Sequence, residues 1–125
     1  MGHRSSDTQA AYRKYRAELG EVCQFCEVDL TNVRVEYPRF LVINNIFPYE
    51  TWDGERVLEH LLLVPRKHSE SLSVADDGAE ALVEWAQIVH EYENAGFNIY
   101  ARSANSSLKT VAHQHTHLIK SRRYR

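Results

Sequence analysis

Two stretches of the chain carry apolar residues at helical spacing. The first predicts a helix that is capped by Ser6 or Asp7, continues to about Leu19 and stops at Gly20, after a disordered start over 1–5. This helix is otherwise polar, so we expect it on the outside of the fold. The second stretch predicts a long amphipathic helix over 76–93. Its apolar positions are Leu82, Trp85, Ala86 and Val89.

The remaining pattern favours strands joined by turns. Residues 33–37 alternate apolar and charged positions, which indicates a half-buried strand. Further predicted strands span 40–46, 60–65, 97–101 and 111–119. Residues 50–59 form a polar link with a turn at Asp53-Gly54, and 102–110 form a polar loop. The prediction is therefore an α+β fold with an antiparallel sheet of about five strands.

Composition excludes several classes of protein. The chain has 125 residues, which favours a single domain, and 15 basic against 17 acidic residues, which disfavours strong nucleic-acid binding. No apolar run approaches the ~20 residues of a membrane helix, and no signal-peptide pattern opens the chain. We therefore expect a cytoplasmic protein with no membrane partner. In a reducing compartment its two cysteines suggest metal or redox chemistry and not a disulfide scaffold.

Three histidines alternate in the segment His113-Gln114-His115-Thr116-His117. On a strand, alternate residues share a face, so the imidazoles are expected on one side, roughly 7 Å apart. Such groups can bind metal, attack as nucleophiles or transfer protons near neutral pH. A three-histidine zinc site and a surface strand with coincidental histidines are the alternatives to a catalytic row.

The cysteines stand at the spacing of a zinc-ligand pair in Cys23-Gln24-Phe25-Cys26. Tetrahedral structural zinc needs two ligands more than this pair supplies. Reduced cysteines without metal and a redox pair are the alternatives. The redox interpretation needs the motif to open a helix, and the pattern after Cys26 shows none.

Four segments, taken in order, resemble landmarks of the histidine-triad (HIT) superfamily. They are Cys23-Gln24-Phe25-Cys26, Asn45-Ile46-Phe47-Pro48-Tyr49, residues 60–68 and His113-Gln114-His115-Thr116-His117-Leu118-Ile119. The resemblance covers about residues 22–120 and is greatest to the zinc-bearing, bacterial-type small nucleotide hydrolases and phosphorylases. It implies a HIT-like domain over 21–120, with a helical N-terminal extension over 1–20 and a short basic tail over 121–125. It also implies that the chain can pair into a homodimer.

The resemblance implies a role for each histidine. His115 would attack the α-phosphorus of a nucleotide conjugate and form a nucleotidyl-histidine intermediate, His60 would orient it or relay a proton, and His117 would donate to phosphate oxygens. The implied substrates are dinucleoside polyphosphates or nucleoside phosphoramidates. The implied substrate-binding residues are Asn45, Asn105, Ser107, Lys109 and Thr110. The implied ligands of a structural zinc ion are Cys23, Cys26, His68 and His113.

The chain departs from the family pattern at several positions. Lys109 stands where many relatives carry glutamine, and Gln114 and Thr116 are polar where the signature prefers apolar residues. Tyr49 and Trp52 lie where they could form an aromatic wall for a base or pack in a lid. Besides a nucleotide hydrolase or transferase, a catalytically silent nucleotide-binding module and a zinc-stabilised interaction protein therefore stay open.

Overall fold

The computed structural model describes residues 2–71, 78–109 and 111–123. The helices are α1 (Ser6–Leu19) and α2 (Ala79–Asn94), with a short 3₁₀ helix at Leu30–Asn32. The strands are β1 (Gly2–His3), β2 (Val33–Glu36), β3 (Phe40–Asn44), β4 (Thr51–Trp52), β5 (Glu55–Pro65), β6 (Asn98–Ala101) and β7 (Thr116–Arg122). Each strand pairs antiparallel with its neighbours in one sheet, which confirms the α+β prediction. None of the helices described is long and apolar enough to cross a bilayer.

The long strand β5 lies at the centre of the sheet. Leu61 of β5 stands opposite Asn44 of β3 on one edge and Leu118 of β7 on the other. Strand β4 pairs with the start of β5, β2 with β3, β6 with β7, and β1 with β4. Because β1 and β4 contain two residues each, the sequence pattern predicted about five strands where the described residues form seven.

Side chains of β5 alternate between two apolar layers on opposite faces of the sheet. Leu61 and Leu63 belong to the layer that α2 covers. Leu62 and Val64 belong to the other layer, with Phe25 from the cysteine segment. One face of the sheet is thus covered by a helix, and the other is left to loops and to the N-terminal part of the chain.

The contact face of α2 differs from the predicted one. Trp85 and Val89 do pack in the core, but Leu82 and Ala86 are exposed, and Ala81 and Ile88 take their place. The helix is therefore rotated towards positions 81, 85, 88 and 92. The part of the predicted helix at 76–77 lies outside the described residues.

The N-terminal segment is more ordered than predicted. Residues Gly2–His3 were expected to be disordered, yet they form β1, and the His3 carbonyl accepts a hydrogen bond from the Glu50 N–H at 2.8 Å. Helix α1 spans Ser6–Leu19, and its N-cap is Ser5 and not Ser6 or Asp7 as predicted, because the Ser5 Oγ accepts from the Thr8 N–H at 3.1 Å. A two-residue edge strand has no hydrophobic period, so the sequence pattern could not show it.

The Asp53-Gly54 turn is confirmed as a two-residue hairpin. Both residues have positive φ, 50° and 78°, as the tight turns that match strand twist require. The flanking residues of the predicted polar link are strands β4 and the first part of β5, so this strand begins at Glu55 and not at His60. The first residues of β5 include several charged side chains, so the sequence pattern did not predict that the strand extends this far.

The last strand begins later than predicted. It spans Thr116–Arg122 and not 111–119, so His113 and His115 precede it. The Gln114 N–H donates to the carbonyl of Ser69, which directs this part of the chain towards the loop after β5 and away from a regular ladder. At its other end, β7 includes Ser121 and Arg122, which pair with β5, so these two residues of the predicted basic tail over 121–125 belong to the sheet.

Candidate active site and metal site

Four buried imidazoles lie on the sheet face that α2 leaves uncovered. His60 is on β5 and His117 on β7, while His113 and His115 precede β7. The ring centroids of His60 and His117 are 5.1 Å apart, and those of His115 and His117 are 5.2 Å apart. The spacing is shorter than the expected strand repeat because His115 stands outside the strand.

Hydrogen bonds determine the tautomers of His60 and His117. The Tyr49 N–H donates to Nδ1 of His60 at 3.1 Å, so this nitrogen is an acceptor and the proton is on Nε2. His60 Nε2–H donates in turn to Nδ1 of His117 at 2.8 Å. His117 therefore carries its own proton on Nε2, where it can donate to a ligand.

The opposite tautomer is imposed on His115. Its Nδ1 lies 2.9 Å from the carbonyl oxygen of His113, and a carbonyl can only accept. The proton is therefore on Nδ1, and Nε2 carries a free lone pair. The Phe25 ring packs against His115 with 5.1 Å between centroids and a tilt of 51°, so this contact also restricts the imidazole.

Burial keeps these imidazoles uncharged. It lowers the pKa of His60, His115 and His117, and it is the largest cause in each case. The positive charges of Arg4 and Arg102 lower the pKa of His117 further. At neutral pH the row consequently presents one nucleophilic nitrogen and one neutral donor.

His115 and His117 open onto a small cavity of about 80 Å³. It is lined by Arg4, Tyr12, Gln24, Phe25, Asn45, Phe47, Tyr49, Leu62, Arg102, Leu108, Val111, His115 and His117. Among the described residues, the lining includes two arginines and no carboxylate. With the imidazoles neutral, the cavity carries positive charge and is suited to an anion.

A second, larger groove of about 200 Å³ adjoins this cavity. The two share Gln24, Phe25, Asn45 and Leu62 in their linings. The groove is apolar at Val28 and Ile43 and polar along its rim, which is the usual composition of a small-molecule site. The Oε1 atom of Gln24 is buried and has no hydrogen-bond partner among the described residues, so it can accept from a ligand.

The predicted substrate-binding residues are distributed unevenly. Asn45 lines the cavity, and its Oδ1 accepts from the Phe47 N–H at 2.9 Å, as in a turn-capping asparagine. Asn105 and Ser107 are exposed and are not among the residues lining the cavity. Lys109 Nζ donates to the Glu70 carbonyl at 2.8 Å and to Gln114 at 3.3 Å. Thr110 lies outside the described residues.

Tyr49 and Trp52, which could form an aromatic wall for a nucleotide base, have different surroundings. Tyr49 lines the cavity and stacks on His117 at 5.7 Å between centroids. Trp52 is buried and packs on Tyr49 and Tyr100, so ordinary packing accounts for it. Tyr49 therefore supports the histidine row.

A second cluster joins the cysteine pair to His68 and His113. Their four ligand atoms all lie within 4.8 Å of one another. His113 Nδ1 is 3.5 Å from each Sγ, and His68 Nδ1 is 3.3 Å from Cys26 Sγ. With Zn–S near 2.3 Å and Zn–N near 2.0 Å, a tetrahedral site places S and N about 3.5 Å apart. The four residues therefore fit a metal ion of this kind.

His113 is oriented for this role by β5. Its Nε2–H donates to the Pro65 carbonyl at 2.8 Å, which leaves Nδ1 for the metal. Because His113 faces the thiols and His115 directs Nδ1 to a carbonyl, the three-histidine zinc alternative is not the observed arrangement. One residue thus connects the two sites, with its side chain in the metal cluster and its carbonyl on His115.

Sequence patterns did not reveal Arg4, Arg102 or Gln24 as site residues. Arg4 belongs to the segment expected to be disordered, and Arg102 opens the loop after β6. Lone arginines next to no motif carry no signal of their own. Only the pairing of β1 with β4 shows that residue 4 reaches this cavity.

The two polar departures in the histidine segment have partners. Thr116 is buried under α2, and its hydroxyl accepts from the Trp85 indole N–H at 3.0 Å. Gln114 accepts from Lys109 through its side-chain oxygen. The polar groups of Gln114 and Thr116 are therefore hydrogen-bonded.

The fold and the histidine row define a histidine-triad protein. Residues 28–124 match the HIT domain family, so the chain belongs to the HIT family, as the resemblance predicted. A HIT family hydrolase from Legionella pneumophila Philadelphia 1 is 24% identical over 82% of this chain and 95% of that one, with a TM-score of 0.62. No curated protein matches at a significant level.

Two further solved structures share the fold. A HIT family protein from Bacillus anthracis is 24% identical over 84% of this chain and 75% of its own, with a TM-score of 0.61. A zinc-bound histidine triad family protein from Mycobacterium smegmatis is 22% identical over 80% and 75%, with a TM-score of 0.57. At such identities these likenesses concern the fold.

Proposed function

We propose that this protein is a nucleotide hydrolase or nucleotidyl transferase that cleaves nucleotide conjugates at the α-phosphorus through His115. The substrate class comprises dinucleoside polyphosphates and nucleoside phosphoramidates. The observation that carries the proposal is the hydrogen bond from His115 Nδ1–H to the His113 carbonyl. It leaves the Nε2 lone pair free in a cationic cavity, which is the state a nucleophilic imidazole needs.

The reaction then proceeds in two displacements. His115 Nε2 attacks the α-phosphorus, a P–N bond forms, and the bond from phosphorus to the leaving group breaks. A polyphosphate leaves as its anion, whereas an amine leaves with a proton taken up from solvent. The imidazole ring gains positive charge, which the His113 carbonyl stabilises. Water next attacks the phosphorus, the P–N bond breaks, and the nucleoside monophosphate leaves while the water proton passes to solvent. If phosphate replaces water, the product is a nucleoside diphosphate.

His117 and His60 act on the phosphate oxygens as a unit. His117 donates through Nε2–H, because its Nδ1 is occupied by His60. His60 cannot turn its proton elsewhere without losing the Tyr49 N–H at its Nδ1. We therefore assign His117 to the stabilisation of oxyanion charge and His60 to the positioning of His117.

The adjoining groove is suited to the nucleoside. The cavity of about 80 Å³ is lined by His115, His117 and the two arginines, so we place the phosphates of the substrate there. The groove shares Gln24 and Asn45 with the cavity, so a sugar can span the two. The unpartnered Gln24 Oε1 is an acceptor for a hydroxyl or amine of that nucleoside.

The second cluster is assigned to structural zinc. Cys23, Cys26, His68 and His113 would complete a closed tetrahedral site, and zinc there supplies a fixed link between chain segments with no open position. The thiols have to be reduced to bind it, which favours a reducing compartment such as the cytoplasm. Losing the ion would release His113 and with it the carbonyl that orients His115.

The test is release of nucleoside monophosphate from a panel of adenosine conjugates. The panel comprises a diadenosine polyphosphate, an adenosine phosphoramidate and an adenylylated amine, each with and without added phosphate. Wild type is compared with His115→Ala and with His90→Ala, which removes an exposed imidazole on α2. We expect turnover by wild type and His90→Ala, and loss of at least about a thousandfold in His115→Ala.

The outcomes separate the candidate functions. A nucleoside diphosphate that forms only with phosphate identifies a transferase to phosphate. No turnover on any conjugate, with nucleotides still raising the unfolding temperature, indicates the silent binding module. No turnover and no stabilisation by nucleotides indicates the zinc-stabilised interaction protein.

Homodimer formation stays a proposal. Leu82 and Val83 on α2 are 39% and 57% exposed, which leaves an apolar strip on the outer surface of the helix. Sedimentation equilibrium of wild type against Val83→Glu tests whether two copies pair there. A monomer at all concentrations would contradict this proposal.

A further inference from the structure

Arg4 reaches the histidine cavity from outside the matched family domain. The HIT domain match begins at residue 28, whereas Arg4 directly follows β1. The segment docks closely, since β1 pairs with β4 and a β-carbon at Gly2 would collide with the Tyr49 ring. Strand β1 thus brings an additional side chain to the cavity that His115 and His117 line.

The guanidinium of Arg4 is held in position, but only part of its hydrogen-bonding capacity is taken by described residues. Its Nε–H donates to the Phe47 carbonyl at 2.7 Å, and its Cζ lies 4.4 Å from the Tyr12 ring centroid and 4.7 Å from that of Tyr49. A guanidinium has five N–H donors. Among the described residues, nothing accepts from its two Nη groups, and no carboxylate pairs with it.

Arg102 lines the same cavity from the loop after β6. Its Cζ lies 5.4 Å from the Tyr100 ring centroid, and no described carboxylate neutralises it. Lys109, by contrast, is engaged with Glu70 and Gln114 and is not among the cavity residues. The positive charge of the cavity therefore comes from two arginines that belong to two separate elements.

Two such cations exceed what one phosphoryl group under attack requires. The α-phosphate of a conjugate carries a single negative charge and already has a donor in His117. A leaving group made of phosphates brings several more charges, and planar guanidinium groups bind phosphate oxygens in pairs. An amine leaving group brings none and needs a proton instead.

We propose that Arg4 and Arg102 together bind the phosphates beyond the one attacked, so that the site prefers conjugates with a polyphosphate leaving group. The inference rests on the proposed function for its reaction, but not for its anion site. Arg4 is then a substrate-binding residue supplied by the N-terminal segment. The ring contacts and the Phe47 carbonyl hold its side chain in position before substrate arrives.

The test has a binding arm and a kinetic arm on the full chain with its metal. Titration calorimetry measures the affinity of inorganic tripolyphosphate for wild type, Arg4→Gln, Arg4→Lys, Arg102→Gln and the control Arg13→Gln on α1. Kinetics compare diadenosine tetraphosphate with adenosine phosphoramidate for the same proteins. Arg13 is an exposed arginine of the same segment and lies outside the cavity lining.

We expect Arg4→Gln and Arg102→Gln each to weaken tripolyphosphate about tenfold or more and to raise KM for the tetraphosphate similarly. KM for the phosphoramidate should change less than about threefold, and Arg13→Gln should match wild type. The affinity and KM of Arg4→Lys should lie between those of wild type and Arg4→Gln. Lysine keeps the positive charge but lacks the planar, paired N–H donors of a guanidinium. A purely structural role would lower kcat for both substrates together.

Several results would overturn the proposal. Wild type that does not bind tripolyphosphate, or arginine variants that bind it as wild type does, would remove the anion site. An equal loss of activity on both substrates would show that Arg4 has only a structural role. If the Arg4 variants do not fold, Arg102→Gln and wild-type binding decide. Arginine-dependent binding without any turnover would refute the proposed reaction and leave the anion site standing.

Discussion

The Nδ1–H group of His115 donates to the backbone carbonyl of His113 over 2.9 Å, while the side chain of His113 faces two cysteine thiols. A single residue thus belongs to the candidate metal site through its ring and to the histidine row through its main chain. A movement of the His113 backbone that breaks this hydrogen bond would remove the constraint that keeps the His115 proton on Nδ1.

The tautomers can be measured directly. We expect His115 to carry its proton on Nδ1, and His60 and His117 on Nε2, because a carbonyl accepts from the first and the Tyr49 N–H donates to the second. Nitrogen chemical shifts of ¹⁵N-histidine-labelled protein at pH 7 report each state. An Nε2–H tautomer at His115, or a charged ring at His117, would contradict the assignment.

Stability should decrease in acid because of the His60–His117 pair. Burial lowers the pKa of both rings in the folded chain below the value of about 6.5 in the unfolded chain. Below that pH the unfolded chain takes up protons that the folded chain does not, so the free energy of unfolding falls. The slope approaches about 1.4 kcal/mol per pH unit for each histidine well below pH 6.5 and falls towards zero above about pH 7.5.

Urea unfolding between pH 4.5 and 8 measures this slope. His60→Gln should unfold less steeply with acid than wild type, whereas His90→Gln, which removes an exposed imidazole on α2, should not alter the slope. Identical slopes for wild type and His60→Gln would show that the buried pair is not the source. Arg4, Arg102 and His115 also act on His117 and remain in both proteins.

Loss of a cysteine should affect activity at a distance. Cys23→Ser is expected to release the metal, to lower the unfolding temperature by roughly 10 °C or more, and to reduce turnover, although Cys23 does not line the histidine cavity. Metal content by mass spectrometry and thermal unfolding with and without added zinc check this. A metal-free Cys23→Ser protein with wild-type stability would contradict a structural role for the ion.

The contact between Trp85 and Thr116 offers a test of the sheet–helix interface. Trp85→Phe leaves the buried Thr116 hydroxyl without its donor and should cost about 1–3 kcal/mol of unfolding free energy. Thr116→Val should cost less, since Trp85 is only partly buried and water can reach its N–H. The double variant should be less destabilised than the sum, by about 1 kcal/mol, in a double-mutant cycle. Additive costs would mean that the hydrogen bond does not contribute.

The sequence allowed the sheet, both helices and the histidine row to be predicted because each has a period or a motif. Leu61 to Val64 form a continuous apolar run, and the Asp53-Gly54 turn has a fixed chemistry. The four metal-cluster residues were implied by resemblance, and the structure places their ligand atoms together.

What escaped prediction depends on tertiary contacts. Strand β1 exists only because β4 supplies partners for its backbone, and Arg4 enters the cavity only through that pairing. His113 and His115 leave the strand because Gln114 bonds to the loop after β5. The face of α2 that contacts the sheet depends on how Ala81 and Ile88 pack. A periodic pattern of apolar residues predicts that face only to within one residue position.

The proton positions of the histidine row are set at both ends by main-chain atoms, the carbonyl of residue 113 and the amide of residue 49. Neither atom changes when the side chain at its position is replaced. The polarity of the row thus depends on the backbone path at residues 113 and 49, together with the His60 ring that links the Tyr49 amide to His117. A substituted chain that keeps this path and His60 would keep a donor at His117 and a lone pair at His115.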